Sequence, residues 1–288
     1  MSLNSMKIET LILPHQGILN DRFSKLQANL SEYCFANLYL FRKEHAYEVI
    51  FGEDIYIKGT TRDNFTYLMP TSSPENLCCE ELKELLKGID FFFPIQEEWL
   101  DPLKEKNIEI ATVSGDSDYL FAVEKLSSLP GRHLSSRRNL LKQFNDRYPE
   151  HFVKTIDPTT LADAMSVLDV WHAEVEEAGD YANCKEALEM QQALKLNGFV
   201  VYVDQKKPVG IALGEPLNKN TFVIHFAKGI HEYKGIYPFL YSHFAESLKG
   251  QFEWINLEQD LGIPSLAQAK QAYEPDKILP KLRVQCDR

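Results

Sequence analysis

One order of elements runs through this chain twice. In each pass, alternating apolar strands lead to an amphipathic helix that stops at Leu-Lys-Gly, first at Leu86-Lys87-Gly88 and again at Leu248-Lys249-Gly250. A glycine just past the last turn is a helix stop, because it adopts the left-handed conformation that other residues resist. Each stop is followed by an aromatic strand, Asp90-Phe91-Phe92-Phe93 or Phe252-Glu253-Trp254-Ile255, and then by a shorter helix. Two copies of one α/β unit are the economical reading, and 288 residues with 44% hydrophobic content can bury two cores of ordinary size.

The first unit is predicted over 1–126. It has strands near 8–13, 37–41, 47–51, 55–58, 65–68, 91–95, 109–113 and 119–123, and helices near 20–33, 75–86 and 97–106. The second is predicted over 127–288 and opens on a basic connector. It then has strands near 152–156, 199–204, 208–215, 221–228, 252–257 and 278–284, and helices near 160–177, 185–196, 236–248 and 265–273.

The formal charge of −11 argues against a broad footprint for DNA or anionic membrane, which demand a surface excess of Lys and Arg. Any anion site is therefore local. Five cysteines without a C-x-x-C spacing fit reduced thiols in a cytoplasm. No stretch approaches the roughly 18 apolar residues of a transmembrane segment. The eight histidines are scattered with no H-x-x-x-H, so no metal is expected.

Two segments carry the chemistry. In the connector, Leu134, Leu140, Leu141, Phe144 and Tyr148 share one helical face, and Arg137 falls in the middle of it. An arginine aimed at an apolar face needs a partner: a ligand phosphate or carboxylate gripped by its planar fork, or a structural salt bridge. Near the C-terminus, Asn256, Glu258 and Asp260 alternate along a strand end, which places all three on one face if the extended pattern persists. Lys270 and Tyr273 lie on the inner face of the next helix, and Glu258 or Asp260 is the nearest carboxylate for that lysine. This is either a buried ion-pair cluster or a pocket that orients a substrate amine. Lys228 ends a buried-type strand and either pairs with Glu215 or lines the same pocket.

The order β-α-α-β-β-β-α-β-α-β resembles the GNAT acyltransferase fold, whose central strands splay apart to admit an acyl donor. Two such units look like the tandem-GNAT architecture of the Fem-type peptidoglycan aminoacyltransferases and of the phosphatidylglycerol lysyltransferase C-terminal domain. The closer resemblance rests on Ser31-Glu32-Tyr33, Phe35-Ala36-Asn37-Leu38, Asp118-Tyr119-Leu120-Phe121, Leu129-Pro130-Gly131-Arg132, Arg137-Arg138-Asn139, His225-Phe226-Ala227-Lys228, Asn256-Leu257-Glu258-Gln259-Asp260-Leu261-Gly262, Ala269-Lys270 and Tyr273-Glu274-Pro275. These are similar to the lysyl-phosphatidylglycerol-synthase C-terminal-like family and span nearly the whole chain.

The resemblance implies two tandem GNAT-like units, α/β with mixed sheets, packed around a shared groove. It also implies transfer of an acyl or aminoacyl group to an amine, with aminoacyl-tRNA or an acyl-CoA as donor and tRNA as partner in the first case. Glu258 and Asp260 are the catalytic candidates. Arg132, Arg137, Arg138, Asn139, Lys228, Asn256, Lys270 and Tyr273 are the substrate-binding ones. One stretch departs from the pattern: Glu232-Tyr233-Lys234-Gly235-Ile236-Tyr237 keeps a single glycine of the acyl-CoA pyrophosphate loop and puts an acidic residue at its basic position. The alternative is a non-catalytic ligand-binding or regulatory protein that keeps the fold without donor-loop function.

Overall fold

The computed structural model describes residues 6–74, 77, 79–100, 108–175, 179–204 and 206–286. In chain order the elements are β1 (Lys7–Thr10), α1 (Gln16–Leu26), α2 (Phe35–Leu40), β2 (Glu48–Phe51), β3 (Ile55–Thr60), β4 (Thr66–Pro70), α3 (Cys79–Leu85), β5 (Phe91–Ile95), β6 (Ile108–Thr112) and β7 (Asp118–Ala122). There follow α4 (Val123–Ser128), α5 (Ser135–Arg147), β8 (Phe152–Thr155), α6 (Leu161–Glu174), α7 (Tyr181–Glu189), α8 (Gln191–Leu194), β9 (Asn197–Val203), β10 (Lys207–Pro216) and β11 (Thr221–Gly229). The chain closes with α9 (Ile236–Leu248), β12 (Trp254–Gln259), α10 (Pro264–Gln271), β13 (Lys277–Leu279) and β14 (Leu282–Cys286).

Two seven-stranded mixed sheets repeat one plan. The first runs β1-β2-β3-β4-β5-β14-β6, and the second, read from its far edge, β8-β9-β10-β11-β12-β7-β13. Strand for strand the orders match, with one exchange. The sixth place of the first sheet is filled by the last strand of the chain, and the sixth place of the second by β7. The strand predicted at 119–123 for the first unit joins the second sheet as β7, and the strand predicted at 278–284 for the second unit divides, its start forming β13 in the second sheet and its end β14 in the first. The apolar alternation of a strand names its buried faces but not its neighbours.

Two compact units result. One holds the residues up to Asp118 with Gln259–Gly262 and the chain from Ile278 onward, the other Tyr119–Glu258 with Ile263–Lys277. Each builds its core from its own sheet. In the first unit the whole of β5, Phe91 to Ile95, is buried, and the Tyr67 hydroxyl donates to that of Tyr47 at 2.9 Å. In the second, Gly198 to Val203 of β9 are buried, as expected of a strand covered on both faces. Phe222 and Phe199 lie 5.1 and 5.2 Å from Phe244 of α9, ring centre to ring centre.

The predicted helix stops hold, with Gly88 at φ +77 and Gly250 at φ +74. The strand expected at 37–41 is instead helix α2, buried over all six residues. A short apolar run carries no period that separates a buried helix from a buried strand. The helix expected at 97–106 is a short 3-10 turn at Glu97–Trp99, and its positions 101–106 lie outside the described residues. Of the helix expected at 75–86, α3 supplies 79–85, while 75, 76 and 78 lie outside them.

Gly235 has a packing reason of its own. It sits at φ +93 as the N-cap of α9, and a Cβ there would lie 2.2 Å from the Leu140 carbonyl oxygen of α5. The one glycine kept from the acyl-CoA loop thus lets α5 close on the start of α9. Gly235→Ala is expected to combine a left-handed backbone with a backbone clash and to cost about 2–4 kcal/mol. A chemical melt resolves this, and a variant within about 0.5 kcal/mol of wild type would contradict it.

Candidate functional site

The second sheet opens where its two central parallel strands part. β11 and β12 pair at Thr221↔Trp254, Phe222↔Ile255 and Val223↔Asn256, although β11 continues to Gly229 and β12 to Gln259. The first sheet repeats this: β4 and β5 pair only at Tyr67↔Phe91 and Leu68↔Phe92. Beyond the last pair, side chains bridge what backbone no longer does.

His225 makes that bridge. Across β10 and β11 the register passes from Leu213↔Phe226 to Gly214↔Ile224, which leaves His225 as the extra residue of a β-bulge. A bulge re-aims the side chain it carries. The His225 ring is fully buried, with Nδ1 2.7 Å from Glu258 Oε1 on β12 and Nε2 3.1 Å from Glu215 Oε1 on β10. Both glutamates keep a small exposed fraction, 14% and 15% of the side chain for Glu215 and Glu258 respectively, so the pair reaches solvent while the histidine does not.

The strand end is locally strained. Glu258 has φ +60, and its N–H donates to Asn256 Oδ1 at 2.6 Å, with Asn256 completely buried. A non-glycine residue in the left-handed region costs of order 1 kcal/mol or more and persists only where its surroundings hold it. Here Lys270 holds it, donating from Nζ to the carbonyls of Leu257 at 2.7 Å and Glu258 at 3.0 Å, with the Tyr119 ring centre 5.7 Å away.

These contacts correct three expectations. Asn256, Glu258 and Asp260 do not share one extended face, because the chain leaves the extended path at Glu258 and Asn256 is turned onto the backbone. Asp260 accepts from the Gly262 N–H at 2.8 Å, in a turn whose Leu261 N–H donates to the Gly115 carbonyl at 2.9 Å. Lys270 bonds the strand-end carbonyls of Leu257 and Glu258, where the sequence offered it only a carboxylate. Lys228 pairs with Asp180, not Glu215, at 2.6 Å, and lies 4.0 Å from the Trp171 ring centre. Glu215 is committed to His225.

Around the connector helix α5 the predicted residues divide. Arg138 Nη1 donates to the carbonyls of Leu129 at 2.5 Å and Gly131 at 2.9 Å, closing the end of α4. Arg132 and Asn139 are exposed. Arg137 is half-buried, with its guanidinium 5.5 Å from the Tyr273 ring centre, and no carboxylate lies within ion-pair distance of it among the described residues. Tyr273 is buried and packs edge-on against Tyr241 at 5.2 Å; burial, then the Tyr241 hydroxyl, push its own hydroxyl well above the usual range.

A second polar cluster lies wholly inside the first unit. Lys281 is completely buried, 2.6 Å from Glu32 Oε1 and 2.8 Å from Asp118 Oδ1. Its Nζ also donates to Ser31 Oγ at 3.1 Å and, very closely, to Gln259 Oε1. Ser31 in turn gives its N–H to Asp118 Oδ2 at 2.7 Å. Burial pushes the Glu32 carboxyl up to about 7 against the pull of Lys281, with Asp118 adding to the rise. Burial alone would lower Lys281, but Asp118 and Glu32 together hold it above its ordinary value.

A carboxyl raised in the folded state keeps a proton that the unfolded chain releases above about 4.5, so its contribution to stability falls as pH rises between those values. The stability of the wild type relative to Glu32→Gln is therefore expected to decline from pH 5 to 7 in parallel chemical melts. A difference that is flat or rises over that window would contradict the assignment.

Neither cluster is complete in the sequence reading. Glu32, Asp118 and His225 stood in the quoted segments without roles, Glu215 was named only as a candidate partner of Lys228, and Lys281 stood in none. Only the adjacency of β10 and β11, two period-2 strands joined by a short polar turn, could have pointed from Glu215 to His225.

A family model for the phosphatidylglycerol lysyltransferase C-terminal region matches residues 23–284. Among solved structures, the chain is similar to a conserved protein of unknown function from Bacteroides thetaiotaomicron VPI-5482, at 21% identity and TM-score 0.85, covering 98% of this chain and 100% of that one. It is also similar to the C-terminal domain of a putative lysylphosphatidylglycerol synthetase from Agrobacterium fabrum, at 15% identity and TM-score 0.63, covering 95% and 92%. L-PGS from Bacillus licheniformis is similar too, at 13% identity and TM-score 0.63, covering 94% and 91%. A search of curated proteins found no match. No helix among the described residues is long and apolar enough to cross a membrane. With the match running from residue 23 to 284, the chain belongs to the phosphatidylglycerol lysyltransferase C-terminal family.

Proposed function

We propose that this protein transfers an acyl or aminoacyl group from an activated ester or thioester to an amine, in the opening between β11 and β12. The observation that carries this reading is the Glu258–His225 pair, set by a bulge and a strained strand end where the central strands part. Strand ends at such an opening are where α/β folds collect ligands. Glu258 is the proton acceptor for the attacking amine. Lys270 fixes the carbonyls of Leu257 and Glu258, and so the direction in which Glu258 points. Placing amine and acyl carbon together supplies much of the acceleration.

Arg137, lacking a carboxylate partner among the described residues and lying against Tyr273, offers a fork for an anionic group of the ligand. Asp260, bonded to the turn at Gly262, is not needed as a base. The segment before α9 keeps a single glycine of the acyl-CoA loop, Gly235, which is needed for close packing against Leu140, and carries Glu232 at the loop's basic position. Together with the resemblance to Fem-type enzymes, this favours aminoacyl-tRNA as donor and a cytoplasmic setting.

The test is incubation of the purified chain with a panel of aminoacylated tRNAs and, separately, acyl-CoA species, in the presence of small amines. Donor-dependent amide formation supports the reading. Tight ligand binding without turnover under every donor would instead identify a binding protein on the same fold.

A further inference from the structure

The two contacts of the His225 ring set its charge. A neutral imidazole has one N–H, and an ionised carboxylate can only accept. Here Nδ1 faces Glu258 Oε1 at 2.7 Å and Nε2 faces Glu215 Oε1 at 3.1 Å, so with both carboxylates ionised both contacts are hydrogen bonds only when both nitrogens carry a proton. A single N–H would leave a lone pair against a carboxylate oxygen inside a ring environment with no solvent exposure, an arrangement that buried polar groups avoid. Within the second unit, the charged groups facing the ring are Glu215 from β10 and Glu258 from β12, and the neighbouring ring is Phe226, at 6.4 Å between centres.

We propose that Glu215 and His225 are positioning residues for Glu258: Glu215 keeps the imidazole doubly protonated, and the imidazolium holds Glu258 oriented to take the proton of an attacking amine. The proposal rests on the transfer reading above and extends it from one carboxylate to a three-residue device. In the step itself, the amine nitrogen forms the C–N bond to the acyl carbon and loses one proton to Glu258. The C–O or C–S bond of the donor breaks, and its oxygen or sulfur takes that proton back from Glu258. The imidazolium keeps both of its protons throughout, so Glu258 returns to its ionised state after each turnover with no further reactant.

Two readouts separate this device from the transfer reading. The first needs no substrate. In the full chain labelled with 15N-histidine, with His225 assigned by loss of its signals in His225→Gln, both ring nitrogens are expected to be protonated at pH 8, where an ordinary histidine is neutral. In Glu215→Gln, one of them is expected to be deprotonated at that pH. An unprotonated ring nitrogen in the wild type at pH 8 overturns the proposal, whether or not any donor is turned over.

The second readout is the split of the kinetic constants of transfer. Glu215→Gln is expected to lower kcat about tenfold with KM unchanged, because the imidazole no longer holds Glu258 in place while substrate binding is untouched. A Glu215→Gln enzyme with the wild-type kcat overturns the proposal while leaving the transfer reading intact. Absence of turnover with every donor sinks the transfer reading, and the resonance experiment still decides the device.

Discussion

Lys281→Met is expected to destabilise the protein by on the order of 3–5 kcal/mol, enough to lower its melting temperature by roughly 10 °C. The substitution removes one cation and strands two buried carboxyl groups, Glu32 and Asp118, of which Asp118 is completely buried. The cost comes from the partners left behind. For that reason Lys281→Met combined with Asp118→Asn and Glu32→Gln should recover part of the loss, since neutral amides need less compensation than carboxylates in the same place. Urea melts of the three proteins check this. A single variant within about 1 kcal/mol of the wild type, or a triple variant as unstable as the single, would contradict the role given to the cluster. Lys281 sits at the entry to β14, Asp118 at the start of β7 and Gln259 at the end of β12, so residues far apart in the chain share this one cation.

Glu258→Gln is expected to reduce kcat for acyl transfer by about 10²–10⁴-fold, the range lost when a positioned general base is removed. Glutamine keeps the size of the side chain and an acceptor oxygen for the His225 N–H, so KM should stay within about twofold and the fold should be retained. A proportionate rise in KM with kcat preserved would mean that Glu258 binds substrate without taking its proton. Steady-state kinetics on the donor identified by the panel, with a melting curve of the same preparation, separates the two. Unchanged kcat would remove Glu258 from the chemistry.

Much of the architecture was legible because duplication is a pattern in the sequence itself. The paired Leu-Lys-Gly stops and the aromatic strands after them aligned the two units, and the glycines fell in the left-handed conformation that stops a helix. The exchange of β7 and β14 was not legible. Both strands carry the alternation of a half-buried strand, and neither Tyr119-Leu120-Phe121 nor Leu282-Arg283-Val284 contains anything that names the strand beside it.

At the site, the segment Asn256-Leu257-Glu258 was found from its polar residues in an apolar context, but its geometry was misread. The prediction extended the strand through Glu258, whereas the side chain of Asn256 competes for the backbone and ends the extended run. His225 was overlooked as a functional residue because it lies in an apolar strand, Thr221-Phe222-Val223-Ile224-His225-Phe226, where a single histidine reads as core. Its partners come from β10 and β12, ten positions before and 33 positions after it, and only the bulge turns it toward both. Lys281 follows Pro280 in a stretch with no charge pattern, and its burial is a consequence of the strand exchange.

The central claim is that the reacting acyl group lies in the opening between β11 and β12. A crystal structure of the protein with a non-hydrolysable donor analogue, its aminoacyl ester replaced by an amide, tests this most directly. The account predicts the acyl carbon of the analogue facing the Glu258 carboxylate across a gap that admits the attacking amine, with about 3 Å from the amine nitrogen to each, and an anionic group toward Arg137. An analogue seated instead at the opening between β4 and β5 of the first sheet, with the Glu258 and His225 side chains untouched, would contradict it.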